Sequence, residues 1–264
     1  MRTEVPRDHP RAESLRIREK LVEEFMTGVV ASAGLIAHGR GEAFDYLLGE
    51  KTVQPASTAI RAAGALLLTS KSPVISVNGN VAALVAKEIV ILAESVNAKI
   101  EVNLFYRTGE RERAIENLLR RAGAKAILGV NKEASAVIPE LGSERRHVDR
   151  RGILTADVVM VPLEDGDRTE ALAKIGKRII AIDLNPLSRT SQYASITIVD
   201  NIVRAMPLLV ETVDKLQKKS RHELKDIVEQ FDNKKNLGKC IGLIEERLRE
   251  LAAEGRFVEL GGVE

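Results

Sequence analysis

The sequence predicts an α/β protein: a Rossmann-like, doubly wound parallel sheet with helical extensions at its N- and C-terminal ends. Two observations carry this. Short runs rich in Val and Ile alternate with helix-length amphipathic stretches from Pro73 onward, the pattern of successive βαβ units. Three of these runs stop abruptly in polar clusters: Asp157–Pro162 leads into Leu163–Thr169, Arg178–Ile182 into Asp183–Thr190, and Ser195–Val199 into Asp200-Asn201. Continuous apolar runs of this length fit strands buried on both faces. Right-handed crossovers place the helices on the two sides of the sheet.

The elements follow in order. Residues 1–72 form an N-terminal helical segment expected to pack on the core, with an amphipathic helix from Ser14 to about Gly28 and two further helices over Gly41–Leu48 and Ala56–Thr69. Between the first helix and these, Gly34-Leu-Ile-Ala-His-Gly-Arg-Gly41 reads as a glycine-punctuated loop. Residues 73–201 form the nucleotide- or substrate-binding sheet. Its strands are Val74–Val77, Lys99–Phe105, Ala126–Val130 and the three opening runs. Its helices are Val81–Asn97, Glu110–Ala122 and Thr169–Ile175. Residues 202–264 return to helix: Ile202–Gln217, with Pro207 suggesting a kink or a late start, then Leu224–Phe231 and Leu237–Leu251.

Composition narrows the class. With 40 basic and 38 acidic residues the chain is nearly neutral, so neither nucleic acid nor a membrane surface is demanded as a partner. No apolar run approaches the roughly 20 residues of a membrane span, and the charged N-terminus is unlike a secretory signal. The single cysteine, Cys240, cannot form an internal disulfide, which fits a reducing cytoplasm.

Ligands of open α/β sheets bind outside the carboxyl ends of the strands, so the polar clusters there are the candidate site. Asp183 and Asn185 can take a ribose diol, although Asp-Leu-Asn-Pro is equally good turn chemistry. Arg189 and Thr190 in the same loop can grip phosphate. Asn201 opens a helix whose N-terminus attracts anions. Glu164 and Asp165, with Asp167, crowd carboxylates that a hard ion such as Mg²⁺ could offset; a solvated turn is the alternative. His38 and Arg40 stand between glycines that allow close approach to a ligand; a flexible loop with two exposed side chains is the alternative. Asn78, Asn80, Asn103, Tyr106 and Arg107 lie at two further strand ends, where Asn can read a small polar substrate and Arg107 can hold an anion; simple helix capping by Asn80 is the alternative. The chain lacks G-x-x-x-x-G-K-[ST] and a G-x-G-x-x-G after a strand, which argues against a P-loop and an ordinary dinucleotide fold.

Several stretches together resemble one family. They are His9-Pro-Arg11, Arg18-Glu-Lys20, Gly34–Leu47, Val74–Asn80, Asn103–Thr108, Val161–Leu172, Asp183–Arg189 and Ile198–Ile202. From about His9 to Ala205 the chain is similar to the archaeal-type phosphopantothenate synthetases (4-phosphopantoate–β-alanine ligases). The resemblance implies a coenzyme A-pathway ligase. ATP would activate 4-phosphopantoate as an acyl adenylate, and β-alanine would attack to give 4′-phosphopantothenate and AMP. It also implies a homodimer, Mg²⁺ dependence, and ATP contacts at Arg18, Arg40, Asp183, Leu184, Asn185, Arg189, Thr190, Asn201 and Ile202. The chain departs from the family pattern through Thr190–Tyr193. Positioning and charge neutralisation would carry such chemistry, with Arg40 and His38 as the catalytic candidates and Asn78, Asn80, Asn103, Tyr106 and Arg107 on the acid substrate. The alternative is a regulatory protein that binds adenine nucleotide without turnover.

Overall fold

The computed structural model describes residues 6, 9, 11–130 and 135–255; Pro10, within one of the stretches that carry the resemblance, lies outside them. The N-terminal segment contains α1 (Ala12–Met26), α2 (Ser32–Leu48) and α3 (Gln54–Thr69). The chain then alternates through β1 (Pro73–Val77), α4 (Gly79–Ser95), β2 (Lys99–Val102), α5 (Gly109–Arg121) and β3 (Ile127–Leu128). A small antiparallel hairpin follows, β4 (Ser135–Val137) with β5 (His147–Asp149). The second half runs β6 (Val158–Pro162), α6 (Gly166–Lys174), β7 (Arg178–Ile182), α7 (Arg189–Tyr193) and β8 (Ile196–Ile198). Three helices close the described chain: α8 (Ile202–Leu216), α9 (Arg221–Glu229) and α10 (Asn233–Glu254).

The six-stranded sheet has the order β3-β2-β1-β6-β7-β8, with every neighbouring pair parallel. The chain starts in the middle, steps outward to one edge, returns, and steps out to the other. A switch point therefore lies between β1 and β6, where ligands of doubly wound folds sit.

Alternation along the strands explains the apolar runs. Ile75, Val77, Met160, Ile180, Ile182 and Ile198 face a core shared with α3, α4 and α8. Val74, Val159, Val161, Ile179 and Ala181 face a second core with Leu172 of α6 and with Ile138, Val148 and Ile153 around the hairpin. Both faces are covered, so neither set can be polar.

Three local readings change. Residues 34–41 are no loop: α2 runs through Gly34, Gly39 and Gly41. Glycine costs about 1 kcal/mol relative to alanine inside a helix, but Gly34 is needed for packing. A Cβ there would collide with Asn80 Oδ1, and Asn80 Nδ2 donates to the Gly34 carbonyl at 2.9 Å. Helix α6 begins at Gly166 rather than near Thr169, which puts Asp167 in its first turn. Helix α8 starts at Ile202, capped by Asn201 Oδ1 on the Val203 amide, so Pro207 lies within it and does not mark a late start. Helix α4 is itself interrupted: Val85 leaves helical geometry, and Lys20 Nζ from α1 donates to the neighbouring Leu84 carbonyl at 2.8 Å, a side-chain insertion of the kind that bends helices.

Candidate active site

Helix α2 lies across the carboxyl ends of β7 and β8 and holds the site together. Leu48 near its end shares a small core with Leu184, Val199, Leu237 and Cys240. Two carboxylates on the same helix, Glu42 and Asp45, are buried and reach different parts of the chain. Glu42 pairs with Arg18 of α1 at 2.8 Å, and Tyr46 Oη donates to Glu42 at 3.3 Å. Asp45 accepts from Asn201 Nδ2 at 2.8 Å and pairs with Arg204 of α8. Arg204 also pairs with Asp200 at 2.8 Å, whose other oxygen accepts from the Thr52 hydroxyl.

Buried charges of this sort hold position when both signs and their hydrogen bonds are satisfied. Here they fasten α2 to α1 on one side and to the start of α8 on the other. Asp45, Glu42 and Arg204 were not visible as site residues in the sequence. The one available signal was the i, i+3 spacing of Glu42 and Asp45, which marks a common helix face only once α2 is read as continuous.

Arg40 is exposed and forms no ion pair among the described residues. It lies close enough to Asp183 to lower that carboxyl's pKa, while burial, the larger influence, raises it. Asp183 is held from within its loop by the Asn185 amide at 2.9 Å and the Ser188 hydroxyl. Each carboxylate oxygen retains a free lone pair for a ligand. Asn185 Oδ1 accepts from the Leu187 amide at 2.9 Å, which is the turn chemistry foreseen beside the ribose role. Leu184 is buried against α2 and α10.

Arg189 opens α7, is largely exposed, and pairs with Glu170. Thr190 is buried, and its hydroxyl donates to the Glu164 carbonyl at 2.9 Å; it therefore joins the β7–α7 loop to the β6–α6 loop. Asn201 and Ile202 are buried at the start of α8. Arg18, Arg40, Asp183 and Asn201 thus gather on one side of the carboxyl edge within a single chain. His38 joins them: it lines a small cavity with Glu13, Glu42, Asp45, Asn201 and Arg204, and its Nε2 is buried with no hydrogen-bond partner among the described residues. Burial holds the His38 pKa below the usual histidine value, against the opposing pull of Glu42, so the ring is neutral at neutral pH.

The residues at the ends of β1 and β2 are engaged with backbone. Asn78 caps α4 through the Val81 amide at 3.1 Å and donates to the Leu163 carbonyl at 2.9 Å. Asn103 donates to the Arg145 and His147 carbonyls, both at 3.1 Å. Arg107 pairs with Glu112 and donates to the carbonyls of His147 at 3.0 Å and Gly129 at 2.8 Å. Tyr106 is exposed and stacks edge-on against Phe105. The carboxylates considered for a metal face cations. Glu164 meets Arg145 at 2.8 Å and also Arg168, and Asp165 meets Arg145 Nε at 2.9 Å. No group of three or more His, Cys, Asp or Glu side chains among the described residues is arranged to hold a metal ion.

Fold and site together define a doubly wound α/β enzyme whose candidate binding groups stand at the carboxyl edge of the sheet. A profile of the phosphopantothenate/pantothenate synthetase family matches residues 55–247. The chain is 56% identical over 252 residues to the 4-phosphopantoate–β-alanine ligase of Thermococcus kodakarensis, covering 95% of this chain and 96% of the relative. It is 55% identical to the ligase of the same name from Thermococcus onnurineus, with the same coverage. With that of Methanosarcina mazei it shares 50% identity, covering 96% of this chain and 98% of the relative. The chain belongs to the phosphopantothenate/pantothenate synthetase family.

Proposed function

We propose that this chain joins 4-phosphopantoate to β-alanine at the expense of ATP, through an acyl adenylate. The observation that carries the reading is the nearness of Asp183, at the end of β7, to the uncommitted guanidinium of Arg40 on α2. A carboxylate with spare acceptor sites suits the ribose diol, and an unpaired arginine beside it suits the phosphates.

In the first step a carboxylate oxygen of the acid attacks the α-phosphorus, and the bond to pyrophosphate breaks. Arg40, Arg18 and Arg189 are the cations near the nucleotide side that oppose the charge on phosphate. In the second step the amine nitrogen of β-alanine attacks the acyl carbon and AMP leaves. A proton must leave the amine, and the neutral ring of His38 is the group in the site able to accept it.

Mg²⁺ dependence belongs to the proposal because a triphosphate rarely reacts without a divalent ion. Glu164 and Asp165 do not fit as its ligands, since both carboxylates face arginines, so no step here depends on a protein-held ion. We also place the enzyme in the cytoplasm as a homodimer. The exposed Val22 and Met26 of α1 and Ile36 of α2 supply apolar surface for a second copy.

An end-point assay for AMP and pyrophosphate, with each substrate omitted in turn, tests the reaction. Product that requires all three substrates and accumulates with AMP supports it. ADP and phosphate in place of AMP would replace the adenylate by an acyl phosphate. Nucleotide binding with no turnover would return the chain to a regulatory role.

A further inference from the structure

The first residue of α10 is Asn233, and its side chain is spent on the sheet. β8 is the outermost strand on its side, and Asn233 supplies along its outer edge what a further strand would have given. Asn233 Oδ1 accepts from the Thr197 amide at 2.7 Å. Its Nδ2 donates to the carbonyls of Ser191 at 2.9 Å and Ala194 at 3.0 Å. An asparagine amide offers one accepting oxygen beside one doubly donating nitrogen, a combination that neither aspartate nor leucine reproduces.

Ser191 is fully buried and stands between this helix and the nucleotide side. Its carbonyl also accepts the Thr197 hydroxyl at 2.8 Å. Its own hydroxyl donates to the Asn185 carbonyl at 2.7 Å, and its amide donates to Ser188 Oγ at 2.9 Å. The Ser188 hydroxyl donates in turn to Asp183, whose other oxygen accepts the Asn185 amide at 2.9 Å. One continuous set of hydrogen bonds therefore runs from Asn233 through Ser191 to Ser188 and Asn185, and ends on Asp183. Buried networks in which every member is satisfied hold their groups rigidly.

Docking of α10 does not rest on Asn233 alone. Leu237 and Cys240 pack with Leu184 and Val199, and Asn236 donates to the Pro55 carbonyl of α3 at 3.0 Å. Asn233 differs from these because its bonds end on the segment that orders the Asp183 loop. A binding carboxylate must be held to within roughly 0.5 Å of its productive place, and a loop reaches that precision only when a rigid element supports it. Here the support comes from α10.

We propose that Asn233 is a positioning residue for the nucleotide: by fixing the Ser191 carbonyl it sets, through Ser188 and Asn185, the direction in which the Asp183 carboxylate meets the ribose hydroxyls. The assignment rests on the ribose reading of Asp183 given above. It makes the distinction between ribonucleotide and deoxyribonucleotide depend on a side chain of α10 that never touches the ligand.

The test measures KM and kcat with ATP, 2′-deoxyATP and 3′-deoxyATP in the intact enzyme and in the variants Asn233→Leu, Asn233→Asp and Asn236→Leu. Asn233→Leu removes all three bonds, whereas Asn233→Asp keeps an acceptor for the Thr197 amide and turns a carboxylate on two carbonyls. Either should raise KM for ATP about 5- to 20-fold, with kcat held within about threefold because ribose contacts are similar in ground and transition states. The preference for ATP over the deoxy analogues should fall by the same factor. Asn236→Leu loosens α10 from α3 without touching the loop, and should leave KM and preference as in the wild type. Unchanged values in both Asn233 variants, an equal rise for ATP and the deoxy analogues, or the same changes in Asn236→Leu overturns the assignment. If Asn233→Leu does not fold, Asn233→Asp decides the matter alone. A wild-type enzyme that distinguishes ATP from neither deoxy analogue overturns the ribose reading of Asp183 instead, and the assignment with it.

Discussion

Asp45 and Asn201 meet side chain to side chain at 2.8 Å although 156 residues separate them in sequence. One belongs to the helix that carries His38 and Arg40, and the other caps α8. Replacing Asp45 by Asn removes the charge that Arg204 and Asn201 share, while Arg204 keeps Asp200. We expect a loss of about 1–3 kcal/mol in folding stability, measured by urea unfolding. A variant as stable as wild type would show that Asp200 alone fixes Arg204.

Arg40→Ala should lower kcat by roughly 100-fold, the usual effect of removing one charge-stabilising donor. Arg40→Lys should restore only part of it, because an ammonium cannot contact phosphate through two parallel hydrogen bonds. Since Arg40 and Asp183 lie close together within one chain, mixing Arg40→Ala with Asp183→Ala subunits should recover no activity beyond the parents. Recovery would mean that the residues act from different subunits.

Asp183→Ala should raise KM for ATP about 10- to 100-fold with a smaller change in kcat, because ribose contacts are similar in the ground and transition states. Steady-state kinetics at saturating acid and amine will separate the two parameters. An unchanged KM for ATP would leave Asp183 as a turn residue that orders its loop through Asn185 and Ser188.

Glu101 carries a pH prediction. Burial, outweighing its two backbone amide bonds, pushes its pKa from 4.5 up to about 7. A folded-state pKa above the unfolded one favours the protonated form in the fold. The stabilisation is therefore complete below pH 4.5 and is lost as the pH rises through about 7, with an upper limit near 3 kcal/mol. Unfolding curves at pH 5 and pH 8 should show this loss in the wild type, and Glu101→Gln should flatten it. An equal pH dependence in the variant would assign the titration to another group.

Much of the sheet was legible because both of its faces are buried, so β1, β6, β7 and β8 are apolar except for Ser76, Thr197 and the exposed Arg178. The strand-end placement of Asp183, Asn185 and Asn201 was legible because the ends of those strands are where the composition turns polar. Residues 34–41 were misread as a loop because helix propensity counts the glycines and cannot count the close approach of Asn80 that requires one of them. The hairpin was missed because β4 and β5 have three residues each, too few to show alternation. Arg145 as a partner of Glu164, and the burial of Arg168, were not legible for a different reason. Arg145 and Arg168 meet Asn103 and Ser76, which lie 42 and 92 residues away, and no local pattern marks an arginine that will be buried.

The ties made by α2 also set the order in which the enzyme can come into being. Thr52 must wait 148 residues for Asp200, and Asp45 must wait 156 for Asn201. Closing loops of that length has an entropic cost before any contact repays it. A nascent chain can pair its first three strands early, but His38 and Arg40 have no fixed place until the last strand and α8 have emerged. Assembly of the candidate site is thus a late event in synthesis, and a chain interrupted before β8 carries His38 and Arg40 without the α8 contacts that hold α2 in place.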